Sequence, residues 1–303
     1  MNVLVTGGTG FVGRAVVREL QGARQSIHLL ARDARSPRVQ EFAEKHSANV
    51  RQGDVLNAKS LTDACAGIDA VIHLVGIISE VGSQTFESVH TEGTRNLIEA
   101  ARRAGAKRFV HMSALGTKPN AVARYHQSKW AAEELVRARG LNWTIFRPSI
   151  IYGPGDGFVN LFAKIARRSP AVPLIGGGHT RFQPVPVEAV AKAFVGALSK
   201  PEAINQTYDL CGPETLTVKQ IVETVLQVTG RRRLMLPLPF GVARFQAALL
   251  EYLFARCLHK APPLNRDQVL MLQEDNVGDG STAAREFKLQ MPEFRKGISA
   301  YLS

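Results

Sequence analysis

Cysteine is scarce: Cys65, Cys211 and Cys257 are the only three in 303 residues, far apart and without CxxC or Cys/His ligand spacing. Neither a disulfide framework nor a metal site is indicated, and a reducing compartment fits best. Long apolar runs are missing as well; none reaches the roughly 18 uninterrupted residues of a spanning helix. The N-terminus starts directly as a strand, with neither the basic region nor the apolar core of a secretory leader, so a cytoplasmic location is expected. Acidic residues are outnumbered, 26 against 38 Lys and Arg, giving a net charge of +12 and a pI near 10.0. Such an excess invites an anionic partner, nucleotide phosphate or an acidic membrane face. The basic residues are scattered, Arg231, Arg232 and Arg233 forming the densest run, and no basic stripe interleaved with aromatics appears, which argues against nucleic acid.

Hydrophobic residues make up 45% of the chain, enough for one large core or a core plus a smaller subdomain. Apolar runs at Asn2 to Thr6, Ser26 to Leu30, Asn49 to Gln52, Ala70 to Leu74, Lys107 to Met112 and Asn142 to Arg147 alternate with helical segments, two of them closed by Gly67 and Gly105. Regular alternation predicts right-handed crossovers and a parallel sheet covered on both faces, a doubly wound α/β fold of Rossmann type. After Pro148 the texture turns rich in Gly and Pro. Residues 1–150 are read as a dinucleotide-binding domain and 151–303 as a smaller substrate lobe, interleaved with the first and capping the carboxyl edge of the sheet. This lobe offers helices near Val187 to Ser199 and Val218 to Val228, a strand at Thr207 to Cys211 and an apolar helical stretch from Phe240 to Leu258.

The first strand runs out into TGGTGFVG. Glycines here permit a tight turn, close approach of backbone to a ligand and close packing of the next helix on the strand. A helix starting near Phe11 would aim its free N–H groups and positive dipole end at a pyrophosphate. Thr6, Gly7, Gly10, Phe11, Val12 and Gly13 are therefore the candidate phosphate contacts.

TGGTGFVG, the Tyr125 and Lys129 pair in YHQSK, and RPSIIYGPGD together resemble the extended and atypical short-chain dehydrogenase/reductase superfamily. More specifically, VIHLVGII, VHTEGTRNLIEAARRAGAKRFVHMSALG, YHQSKWAAEELVR, LNWTIFRPSIIYGPGDGF and GHTRFQPVPVEAVAKAF are similar to bacterial relatives of the dehydrogenase-like accessory subunit of respiratory complex I. The resemblance implies Asp54 and Val55 at the adenine, Leu74, Val75 and Gly76 along the cofactor, and Pro148 through Ile150 near the nicotinamide. It implies Tyr125 as general acid or base, Lys129 as the group that lowers its pKa and holds the ribose, and Ser113 as the substrate-orienting hydroxyl. A spacing of four puts Tyr125 and Lys129 on one helical face. His73, at the end of a buried strand, reads as a satisfied core histidine.

At the end of the second strand, where family members preferring NAD carry Asp, this chain has Ala31 followed by Arg32. A guanidinium grips a 2′-phosphate that a carboxylate would repel, so NADP(H) is favoured over NAD(H). Asp33 stands two positions late for the ribose role, and Arg14 is read either as a second phosphate contact or as an exposed helical Arg. The expected function is oxidoreduction of a small carbonyl, alcohol or quinone-related substrate. Two alternatives stand beside it: a non-catalytic NADPH-holding protein of a respiratory or quinone-related complex, and a sugar-nucleotide epimerase or dehydratase with Arg181 as its only visible diphosphate clamp. Within Phe240 to Leu258, Val242, Phe245, Leu249, Leu250, Leu253, Phe254 and Leu258 recur at near-helical spacing, with Arg244, Gln246, Glu251 and Arg256 between them. They pack into the lobe core or meet an anionic membrane or quinone-handling complex as a peripheral contact.

Overall fold

The computed structural model describes residues 1–302; the side chains of residues 255–257, Arg256 and Cys257 among them, lie outside the described residues. Six strands come from the first half of the chain: β1 (Asn2–Thr6), β2 (Ser26–Ala31), β3 (Asn49–Gln52), β4 (Ala70–His73), β5 (Arg108–Met112) and β6 (Asn142–Pro148). Between them lie α1 (Phe11–Gly22), α2 (Pro37–Lys45), α3 (Ala58–Ala64), α4 (Gly93–Arg103) and α5 (Arg124–Ala138). The second half supplies β7 (Ile151–Tyr152), α6 (Val159–Arg168), β8 (Ala171–Ile175), β9 (Arg181–Phe182), β10 (Val185–Pro186), α7 (Val187–Gly196), β11 (Gln206–Leu210), β12 (Leu216–Thr217) and α8 (Val218–Val228). It ends with β13 (Leu234–Leu238), α9 (Phe240–Glu251), α10 (Arg266–Met271), α11 (Ser281–Glu286) and α12 (Phe294–Leu302).

The main sheet has seven strands in the order β11-β6-β5-β4-β1-β2-β3, every pair parallel. The central strands β1, β4 and β5 are buried on both faces, as their apolar runs require, whereas the edge strand β3 has no buried residue. One face packs on α1 and α7 through Val16, Leu20, Val190 and Phe194, the other on α3, α4 and α5 through Leu61, Leu97, Ile98 and Val136. Strand order reverses between β1 and β4, and at that switch point the carboxyl ends of an open sheet leave a crevice for ligand.

A seventh strand is the difference from the six expected of residues 1–150: β11 pairs in register with β6, Gln206 opposite Thr144 through Leu210 opposite Pro148. Residues of the second half thus complete the sheet of the first. The remainder forms a lobe with its own core, α6 and α8 enclosing Val159, Val172, Ile221 and Val225. A small satellite cluster, Ala243, Ala247 and Val269, sits under α9.

Candidate dinucleotide and substrate site

The turn from β1 to α1 is shaped by what its glycines lack. Gly7 holds φ +71, left-handed backbone that L side chains rarely adopt, and a Cβ there would stand 3.3 Å from the carbonyl carbon of Leu74. A Cβ on Gly13 would stand 2.2 Å from the Gly7 oxygen and 2.6 Å from the Gly8 Cα, so the helix touches the turn backbone to backbone. Gly10 is the N-cap residue and places no side chain over the helix end. The first-turn N–H groups of α1 consequently open onto a cleft of about 620 Å³ without an acidic residue in that turn to neutralise them.

Of the expected cofactor contacts, Gly7, Gly10, Phe11, Val12, Gly13, Arg32, Asp54, Val55, Leu74, Val75 and Gly76 all line this cleft. Thr6 does not: it is fully buried behind the turn, its Oγ1 2.7 Å from His73 Nδ1 and accepting the Leu74 N–H at 3.3 Å. His73 in turn reaches Thr94 Oγ1 at 3.1 Å, so both ring nitrogens of this core histidine are satisfied. Pro148 and Ile150 do not line the cleft either; their carbonyls accept from Leu115 and Val185 at 2.9 Å each.

At the β2 end, Asp33 is drawn into its own turn, Oδ1 accepting the Arg35 N–H at 3.1 Å. Arg32 is exposed, lines the cleft, and its guanidinium forms no ion pair among the described residues. Arg14 is held elsewhere, Nε donating to the Thr9 carbonyl at 3.0 Å and the guanidinium lying 5.9 Å over the Phe42 ring. Asp54 both lines the cleft and caps its own turn, accepting the Leu56 N–H at 3.0 Å.

Lys129, Tyr125 and Ser113 do not line the cleft; α5 brings Lys129 up against Gly76 and Met112, which do. The Lys129 ammonium is buried and donates to the Met112 carbonyl at 3.0 Å; a Cβ on Gly76 would sit 3.2 Å from Nζ, a tight contact that glycine avoids. Burial lowers its pKa to about 8 against the pull of Glu133. Tyr125, one turn earlier, is half-buried with its ring edge-on to Phe86, His90 and His126, centroids 5.2 to 5.9 Å apart. Loss of hydration and the nearby Asp267 carboxylate push its phenol up to about 12. Ser113 is buried and donates to Glu133 Oε1 at 2.5 Å. The three residues therefore share one corner of the molecule, but their hydrogen bonds do not join them, and the phenol pKa is displaced upward in the protein alone.

Several residues that brace this corner carry no sequence signal recognised above. Asp267 of α10 accepts the N–H groups of Arg124 and Tyr125 at 2.9 and 2.8 Å, capping α5 from across the chain. His90 Nε2 accepts the Ile77 N–H at 3.0 Å, which puts the proton on Nδ1, where it is donated to Ser128 Oγ at 2.8 Å. Ser128 passes its own hydrogen to the Tyr125 carbonyl at 2.8 Å. Burial and the Lys129 charge lower the His90 pKa to about 2, keeping this relay neutral. Fully buried Glu133 accepts from Arg147 at 2.8 and 2.6 Å and from Arg137 at 2.6 Å. Asn276 links Ser149 and the Leu115 carbonyl, at 2.7 and 2.9 Å. A histidine inside VHTEG was visible in sequence; Asp267 and Asn276 stand more than a hundred residues from what they hold.

Comparison with known proteins follows this geometry. The model of the NAD dependent epimerase/dehydratase family matches residues 3–211. NADH dehydrogenase (ubiquinone) 1 alpha subcomplex subunit 9 of Arabidopsis thaliana is 30% identical over 278 residues, 90% of this chain and 68% of that protein. Ceramide reductase of Caulobacter vibrioides is 35% identical over 199 residues, 66% and 61% respectively. Sterol demethylase protein B of Methylococcus capsulatus is 28% identical, with 95% and 93% covered. The chain thus spans less than two thirds of the length of several curated relatives. Among solved structures, the UDP-glucose 4-epimerase of Thermotoga maritima superposes with TM-score 0.77 at 20% identity, covering 100% of this chain and 97% of that one, which shows the fold.

Proposed function

The chain belongs to the NAD dependent epimerase/dehydratase family, and from that premise we propose that it is an oxidoreductase using NADP(H) in preference to NAD(H) on a small carbonyl, alcohol or quinone-related substrate. The observation that carries the reading is the meeting at Gly76 of the glycine-turn cleft and the Lys129 ammonium, which brings the dinucleotide end and the Tyr125 helix to one point. Gly7, Gly10 and Gly13 fit a pyrophosphate because any side chain on them would fill the cradle or break its turn. Arg32, unpaired at the rim, favours a 2′-phosphate, and Asp33, tied into its turn, does not oppose it. The relatives named ceramide reductase and sterol demethylase protein B, and the subunit of NADH dehydrogenase (ubiquinone), suit an apolar substrate.

When bound, the dinucleotide supplies or takes a hydride. Lys129 would hold a ribose hydroxyl and favour the phenolate of Tyr125, whose Oη gives or takes the proton on the substrate oxygen. Ser113 orients that oxygen once its hydroxyl leaves Glu133. Mass spectrometry of nucleotide carried through purification, with calorimetry of NADPH and NADH, tests the cofactor: NADPH is expected to bind more tightly, and Arg32→Asp to cost it about tenfold while sparing NADH. Equal affinities would refute the preference.

A second reading has its own support. Ser113 bonded to Glu133 and a phenol raised to about 12 suit a protein that holds NADPH without turnover, in a respiratory or quinone-related assembly. Tyr125→Phe separates the two, since an enzyme loses activity with nucleotide binding intact and a holder keeps its role. The sugar-nucleotide reading is the weakest, because Arg181 is engaged by Asp275 at 2.7 Å.

A further inference from the structure

Helix α9 wears its amphipathicity inside out. Its fully buried residues are small, Ala243 and Ala247 against Val269, with Phe240 partly buried beside them. Three of its large apolar side chains point to solvent, Phe245 at 73% exposed, Leu249 at 51% and Val242 at 45%, and Tyr252 just past its end is 59% exposed. Positions 242, 245 and 249, three and four apart, share one face, and Tyr252 and Leu253 extend it. A surface helix of a globular protein ordinarily presents the opposite arrangement. The strand leading into it, β13, exposes Leu234 and Leu236 as well. This is the segment for which core packing was one expectation, and for Val242, Phe245, Leu249, Leu253 and Leu258 the structure overturns that expectation.

Charge narrows the occupant. Between residues 231 and 260 there are six Lys and Arg and a single acid, Glu251, and Glu251 is already engaged by Arg266 at 2.7 Å. Arg232, Arg244 and Lys260 are exposed and form no ion pair among the described residues. Cations therefore stand at both ends of the apolar face and on its flank. No helix among the described residues is long and apolar enough to cross a membrane, so the face suits contact with a surface. We propose that the α9 face docks on an anionic lipid bilayer, its Phe, Leu, Val and Tyr side chains entering the headgroup boundary and its Arg and Lys side chains meeting lipid phosphates. This docking goes beyond the cofactor reading and does not depend on it.

The test is flotation of the full chain, without nucleotide, with vesicles of phosphatidylcholine alone or mixed with phosphatidylglycerol. Retention on the anionic vesicles is expected to exceed that on neutral ones by about tenfold and to fall with added salt. The pair Phe245→Ser and Leu249→Ser is expected to reduce it about tenfold while calorimetric dinucleotide binding is unchanged. Hydrogen exchange on the wild type keeps the test independent of variant folding: vesicles are expected to protect residues 240–254. No retention on anionic vesicles, equal retention on neutral ones, or no protection of that segment overturns the proposal. Dimerisation in sedimentation velocity that the same pair abolishes, without vesicle binding, overturns it in favour of a second copy of the chain.

Discussion

The dinucleotide end and the corner of Tyr125 and Lys129 beside it are built by opposite means. At the dinucleotide end, backbone does the work: three glycines, a helix N-terminus and the carboxyl ends of β1, β2 and β4, all within the first 76 residues. At the substrate end, side chains do it, and their partners come from far away: Asp267 caps α5, Asn276 holds Ser149, and Glu133 gathers Arg137, Arg147 and Ser113. A backbone cradle fails when a side chain is added. A side-chain corner fails when one is removed.

Removing the Glu133 carboxylate is expected to have the largest effect. It is fully buried and two guanidinium groups, themselves only about a quarter exposed, converge on it. Glu133→Ala leaves those charges without their partner and is expected to cost about 3 kcal/mol, read from denaturant unfolding. Adding a methyl at the other end comes next. Gly13→Ala forces a Cβ against the Gly7 oxygen and Gly8 Cα, which is expected to cost roughly 1–3 kcal/mol and to abolish dinucleotide binding in calorimetry. If Glu133→Ala removed nucleotide binding in the folded protein as thoroughly as Gly13→Ala, the division into two independently built ends would fail.

The same contrast explains what could be read from residues alone. The β1 to α1 turn is legible in TGGTGFVG because every constraint on it is local, and Tyr125 and Lys129 are legible because one helix fixes their spacing. The hydrogen bond from Ser113 to Glu133 was not legible, since nothing in HMSALG or WAAEELVR says that a buried carboxylate lies beneath the serine. Nor was the place of β11: a five-residue QTYDL strand does not name its partner, and only the crossover through α7 brings it to β6. Hydrophobic periodicity found one face of α9 but could not tell which side the protein covers. Close packing on Val269 is achieved by Ala243 and Ala247, and Val242, Phe245 and Leu249 were left outside.

Asp267 offers a finer cut, because it touches only backbone of the α5 terminus while its charge reaches the phenol. Asp267→Asn retains an acceptor for the Arg124 and Tyr125 N–H groups, and stability is expected to fall by about 1 kcal/mol or less. The upward push of that carboxylate on Tyr125 disappears, so the phenol titration followed by ultraviolet absorbance is expected to move to lower pH. An unmoved titration would assign the raised pKa to burial alone.

The smallest effect expected is a pH dependence at Lys129, where the two ends meet. Burial lowers this ammonium from 10.5 to about 8, so between those values the folded protein has released a proton that the unfolded chain keeps. The unfolded state then binds more protons, and the contribution of Lys129 to stability rises with pH across that window. Ribose hydroxyl oxygens accept from the ammonium and favour its protonated form. Dinucleotide binding is therefore expected to take up a proton above about pH 8 and to weaken as pH rises through that value. Calorimetry in two buffers of different ionisation enthalpy reads the uptake directly. The difference between wild type and Lys129→Met isolates it from Tyr125, Cys65 and Cys211, whose raised pKa values act with the opposite sign at higher pH. Proton uptake that persists in Lys129→Met would place the titrating group elsewhere and separate Lys129 from the dinucleotide end.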